Sequence, residues 1–285
     1  MSTFDPASID RKKYRRDGFL ILKGFFSESE IASWERSVVS RFAFQALRIG
    51  AIRERLLKGS QPSAYKTAED LDQIVTLFEE LDTQAGFIAN QLLADSLAAR
   101  RLWANSSLTP LASLILNCPE DQLVLPPTYP TLFISLPTNI RLRYTWHAEM
   151  NCCFPKRRNF VNFWFPSFRA KTSENGTMFL KRGSYVKNLT YINAKMPGSP
   201  LKQFYLPDYE HDEFEEVPMI CGPGDLVVFE GNMIHRSSEN TSALPTYQTV
   251  MRAFDYSKDM TLSRAETAGY GQEDYGRFDL QYVKY

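Results

Sequence analysis

The sequence predicts an α+β protein, a mainly helical first part supporting an antiparallel β core. Two observations carry this. The hydrophobic period changes near Tyr129, from helical spacing before it to short alternating, β-branched and aromatic runs after it. The two textures are also segregated along the chain, helices first and then antiparallel-looking strands, which suggests α+β, or a β-barrel or jelly roll packed on helices.

The elements follow in order. Tyr14 to Leu22 reads as a turn and then a short strand. Ser27-Glu28-Ser29-Glu30 is a capping box, with Glu30 three residues beyond the N-cap Ser27. Ile31, Trp34, Val38, Phe42 and Leu47 continue it as an apolar helical stripe. Further helices are expected over Thr67 to Leu81, Gly86 to Leu102 and Ser106 to Leu116. Strands are expected over 132–136, 140–146, 160–165, 177–180, 226–230 and 247–256, punctuated by Pro, Gly and Asn clusters. The tail after Lys258 is polar and Gly-rich and reads as a cover segment. No linker divides the chain, so one domain is expected over 1–285: helical support over 1–128, a β core over 129–257 and the cover over 258–285.

The chain has 285 residues, with 33 Lys+Arg against 33 Asp+Glu and a formal net charge of zero. That balance argues against a nucleic-acid or anionic-membrane partner. No run reaches the apolar length of a membrane helix, and Met1 to Asp10 lacks an apolar signal core. Four cysteines without CxxC spacing fit a reduced, cytoplasmic protein. His211 lies in the acidic stretch from Asp208 to Glu216 and is expected at the surface.

The chemistry is concentrated in Trp146-His147-Ala148-Glu149 and, far downstream, Met233-Ile234-His235-Arg236-Ser237. Two of the three histidines fall in this pattern. Two imidazoles and a carboxylate can occupy one face of Fe(II) and leave open positions opposite. His147 and Glu149 stand two apart, so on an extended strand they point the same way. His235 follows the turn Gly222-Pro223-Gly224-Asp225 and a strand, and barrel closure can bring such strand ends together.

With these motifs in view the chain resembles the phytanoyl-CoA dioxygenase-like family. The resemblance rests on Tyr14-x-x-Asp17-Gly18-Phe19-x-x-Leu22, Trp146-His147-x-Glu149, Asn175-Gly176-Thr177-Met178 with Lys181-Arg182-Gly183-Ser184, and Pro223-Gly224-Asp225 with His235-x-Ser237, in the family's order. It implies a double-stranded β-helix, or jelly-roll, cupin-like core with N-terminal helices. It implies Fe(II) held by His147, Glu149 and His235, with 2-oxoglutarate and O2 as co-substrates. The reaction implied is decarboxylation of 2-oxoglutarate to succinate coupled to oxidation, usually hydroxylation, of a small molecule.

The sequence departs from the family pattern in three places. Glu149 stands where Asp is usual, and it still ligates. Arg182-Gly183-Ser184-Tyr185 replaces a Pro-Gly-Ser-His turn. The arginine that grips the distal carboxylate of 2-oxoglutarate is missing from its usual place, which falls near Thr246. Arg252, on the same strand face by parity, is the candidate substitute, and Arg143 (or Arg141) the rival; Ser237 would support the same carboxylate. Tyr144, Trp146, Asn151 and Trp164 are candidates for lining the substrate pocket. Two other readings compete: a non-catalytic relative that has lost 2-oxoglutarate, and a cupin-like protein using another metal. A homodimer through the helical half is compatible with the sequence.

Overall fold

The computed structural model describes residues 5, 8–125, 130–137, 144–149, 159–187, 189, 192–195, 202–255 and 257, with backbone alone at 192–195 and 202–205. Helices α1 (Arg11–Asp17), α2 (Glu28–Leu47), α3 (Gly50–Arg55), α4 (Ala68–Leu81), α5 (Thr83–Ala94), α6 (Leu97–Trp103) and α7 (Leu108–Leu116) fill the first part. The strands are β1 (Phe19–Leu22), β2 (Leu123–Val124), β3 (Thr131–Ser135), β4 (Phe160–Ser167), β5 (Met178–Lys181), β6 (Ile192–Lys195), β7 (Lys202–Tyr205), β8 (Glu216–Pro218), β9 (Leu226–Glu230), β10 (His235–Ser237) and β11 (Thr246–Asp255). Helices packed on antiparallel sheets make the α+β class expected from the sequence.

The larger sheet runs β1-β9-β4-β11-β2, with β3 also pairing β11. A smaller sheet runs β10-β5-β8, and β6 pairs β7. Every described pairing is antiparallel. The centre of the large sheet is covered on both sides, since β4 and β11 are buried along their whole length.

The two faces of β11 divide the labour. Its odd-numbered residues meet the helices: the Trp34 indole donates to Thr249 Oγ1 at 2.9 Å, and the Tyr247 hydroxyl donates to Asp72 at 2.6 Å. On β4 next to it, Phe163 meets Trp103 of α6 and Phe165 meets Phe26. Side chains alternate along a strand, so Thr246, Gln248, Val250 and Arg252 share the opposite, inner face. Directly opposite them lie Pro166, Trp164 and Asn162 of β4 and Ser135, Phe133 and Thr131 of β3.

Local signals account for most helix ends. Ser27 caps α2 with its reciprocal bond to Glu30, and Thr67 caps α4 in the same way with Asp70. The segment expected as one helix from Gly86 to Leu102 is two, because Ser96 accepts from the Ala99 N–H and starts α6. Residues expected as a turn before β1 instead form α1, whose N-cap is Asp10. The strand expected over 140–146 lies largely outside the described residues, as do the tail from 258 and the cysteines 152 and 153. Cys118 and Cys221 are buried. Among the described residues no helix is long and apolar enough to cross a membrane.

Candidate metal centre

The two histidines meet across a short antiparallel bridge. The His147 N–H donates to the His235 carbonyl at 3.0 Å, and the His235 N–H donates back at 2.8 Å. This places the rings 4.3 Å apart between centroids. Each ring is locked by its own chain two residues earlier: His147 Nδ1 lies 2.7 Å from the Thr145 carbonyl, and His235 Nδ1 lies 2.9 Å from the Met233 carbonyl. A carbonyl only accepts, so both Nδ1 atoms carry a proton, and in the neutral rings Nε2 is the nitrogen that keeps a lone pair.

Glu149 completes the group. One ligand atom from each of His147, Glu149 and His235 lies within 4.8 Å of the others. Glu149 Oε1 sits 3.2 Å from His235 Nε2, while Oε2 is buried without a hydrogen-bond partner. A buried carboxylate oxygen with nothing to accept from is unfavourable. Two free imidazole lone pairs beside it make a donor set suited to a divalent cation such as Fe(II). Burial, reinforced by His235, pushes His147 down to about 4, which keeps it neutral. Burial acts on His235 in the same direction, but Glu149 overrides it and the net shift is upward. Burial alone would raise Glu149; the two histidines hold it below its ordinary value instead.

The surroundings brace this group from several elements. Gly18 ends α1 at φ 80°, and a Cβ there would lie 2.3 Å from the Met233 methyl. Only glycine lets the chain turn left-handed this close to the loop that carries His235. Ser184, in the Arg182-Gly183-Ser184-Tyr185 turn, accepts from the Ile234 N–H at 3.0 Å and lies 3.2 Å from the Met233 sulfur. The turn whose histidine is replaced therefore still supports the metal loop. Asp225 accepts from the Gly222 and Gly24 N–H groups and from Lys23, which sets the start of β9.

The other expected site residues fall in different places. Arg252 reaches the triad itself: Nη2 donates to Glu149 Oε1 at 2.6 Å and Nε donates to Asn162 Oδ1 at 2.7 Å. Burial pushes Arg252 down to about 9; it remains charged at neutral pH, as a 2.6 Å ion pair requires. The guanidinium thus engages the carboxylate of a candidate ligand. Ser237 shares the inward face of β10 with His235 by parity. Tyr144 lies 5.5 Å from the His147 ring and 6.1 Å from Phe133, and Trp164 lies on the same sheet face as Asn162 and Arg252.

Two expectations are corrected. Trp146 faces away from the triad, packed among Lys181 at 4.8 Å, Arg236 at 4.9 Å and the His211 ring at 5.1 Å. Its neighbour His147 takes the inward direction, so alternation turns the indole outward. His211 is not a surface residue; Trp146 covers it and leaves it 2% exposed. Arg143, Arg141 and Asn151 lie outside the described residues. Sequence reasoning missed Asn162, which orients Arg252, and Lys171, which is buried; neither belongs to a local motif.

A family model described as phytanoyl-CoA dioxygenase matches residues 14–245. The chain belongs to this family. Membership makes it an oxygenase of the class that uses iron and 2-oxoglutarate. No curated protein sequence matches it. Solved structures share the fold at low identity. EctD from S. alaskensis, determined with 2-oxoglutarate and 5-hydroxyectoine, is 17% identical over 90% of this chain and 79% of its own, with a TM-score of 0.52. EvdO2 from Micromonospora carbonacea var. aurantiaca, complexed with 2-oxoglutarate, is 18% identical over 90% of this chain and 94% of its own, with a TM-score of 0.54. The epimerase SnoN, in complex with Fe3+, alpha ketoglutarate and nogalamycin RO, is 16% identical over 88% and 85%, with a TM-score of 0.50.

Proposed function

We propose that this chain is a single-domain, cytoplasmic enzyme that hydroxylates a small molecule, with Fe(II) held by His147, Glu149 and His235. The observation that supports it most is the donor set itself: two imidazoles held through Nδ1, so that Nε2 is the nitrogen available to a metal, and a buried carboxylate with an unpartnered oxygen. Bound there, Fe(II) would supply O2 activation coupled to decarboxylation of 2-oxoglutarate.

The chain's own residues position, orient and keep the site dry. The Thr145 and Met233 carbonyls hold the imidazole tautomers. Arg252, itself fixed by Asn162, holds the Glu149 carboxylate in one orientation and is a positioning residue in this reading. Phe229, Trp164 and Val250 on the inner face are buried and apolar, which excludes water and strengthens every charge interaction nearby. Ser237 faces the same side as His235 and is suited to meet the co-substrate. The two sheets are read as the two walls of a jelly roll that open at the triad. The small-molecule substrate enters past Tyr144.

The test is an anaerobic titration of the Fe(II)-loaded protein with 2-oxoglutarate, followed by O2. The expected result is a visible charge-transfer band, then succinate release matched to O2 uptake. A protein that loads Fe(II) but gives neither band nor succinate would overturn this function in favour of a non-catalytic relative or a different metalloenzyme.

A further inference from the structure

Lys171 lies just after β4 and is 1% exposed. Its Nζ donates to Thr246 Oγ1 at 2.6 Å and to the Gly176 carbonyl at 3.2 Å. Both acceptors are neutral, and among the described residues no carboxylate pairs with it. An ammonium has three donors, and among the described residues two are used. A buried cation without an anion is among the least favourable arrangements a core can hold.

The neighbourhood is polar and rich in donors. Thr246 and Gln248 belong to the inner face of β11, the face from which Arg252 meets the triad. Ser135, directly opposite Thr246, donates to the Gly176 carbonyl at 3.1 Å. Gln248 is 8% exposed, and its Oε1 has no partner. Gly176 is held at φ 79°, where a Cβ would lie 2.5 Å from that of Ser135; the close approach keeps its carbonyl on the lysine. The strand β10 links this cluster to the metal centre. His235 begins it, Ser237 points to the same side, and Asn240 beyond its end donates to the Ser135 carbonyl at 2.7 Å.

We propose that Lys171, with Thr246, Ser135 and Gln248 around it, receives the distal carboxylate of 2-oxoglutarate in place of an arginine. This rests on the iron- and 2-oxoglutarate-dependent function proposed above. It accounts for the neutral Thr246 on the inner strand face, since the cation comes from the other side of the cluster. It also accounts for Arg252, which is engaged with Glu149. Burial depresses the amine to about 7 and, among the described residues, no carboxylate pairs with it; Cys221, a thiol itself pushed up to about 12, acts weakly in the other direction. An incoming carboxylate would restore the charge.

The experiment compares two 2-oxo acids on the Fe(II)-loaded protein without O2, read by the charge-transfer band. 2-Oxobutyrate keeps the chelating end of 2-oxoglutarate and lacks the far carboxylate. The wild type should prefer 2-oxoglutarate, and Lys171→Met should bind it about 10- to 100-fold more weakly, the range of a hydrogen bond to a charged group. Its affinity for 2-oxobutyrate should not change, and Lys171→Arg should recover part of the preference. If the methionine variant does not fold, Lys171→Gln removes the charge and keeps hydrogen-bonding capacity. A Lys171 variant that retains the wild-type preference, or a preference lost only with Arg252→Met, overturns the proposal and leaves the enzyme class intact. A wild type that binds neither acid overturns both.

Discussion

Two buried cations stand near opposite ends of one strand face, and they are treated differently. At one end of β11, Arg252 is paired with Glu149 at 2.6 Å and braced by Asn162. At the other, Lys171 rests on a threonine hydroxyl and a backbone carbonyl. Among the described residues the protein supplies an anion for the first and neutral acceptors for the second. A guanidinium keeps its proton under almost any burial, whereas an amine gives its proton up. An arginine thus suits a permanent pair, and a lysine suits a place whose anion comes and goes.

The comparison can be broken at the triad first. His147→Ala should reduce metal-dependent succinate formation to background with little change in melting temperature, because the hydrogen bonds that join this segment to His235 are made by the backbone and remain. Turnover at the wild-type rate would remove His147 from the ligand set. The next largest effect is on stability. Arg252→Met leaves Glu149 buried without its cation and should cost about 3–5 kcal/mol in a denaturant melt. Glu149→Ala removes the carboxylate that Arg252 meets and should cost a similar amount. If the two residues are coupled as described, Glu149→Met combined with Arg252→Met should cost clearly less than the sum of the single changes.

Lys171 should behave in the opposite way. Its folded-state value is about 7 against an ordinary 10.5. Between those values the unfolded chain holds a proton that the folded chain has released, so stability from this group rises as pH rises through that window. Lys171→Met should remove this rise and be at least as stable as wild type at pH 7. Melts of the two proteins from pH 7 to 9 check it, and identical slopes would mean that the amine keeps its proton. The smallest effect is that of Thr246→Val, which removes one hydroxyl and should weaken 2-oxoglutarate binding by about 1 kcal/mol, a few-fold in affinity.

The candidate metal centre was legible in the sequence because its information is local. A His-x-Glu pair, a Gly-Pro-Gly-Asp turn and a His-x-Ser end are short patterns, and the structure brings the three candidate ligand side chains within 4.8 Å of one another. The direction of Trp146 was not legible, because it depends on which neighbour takes the inner face. Nor was the burial of His211, which lies in an acidic stretch and is covered by an indole far away in sequence. The split between α5 and α6 was written in Ser96, but a continuous apolar pattern concealed it.

The sequence by itself determined the α+β class, the capped helices, the candidate ligands and the absence of an arginine where relatives carry one. Only the tertiary structure decided what each buried cation meets. Arg252 and Glu149 are separated by 103 positions, and Lys171 and Thr246 by 75. Contacts at that range come from strand register and from which face each residue occupies, and a shift of one residue would reverse every partner. No pattern read along the chain contains that register; it is set when the two sheets pack.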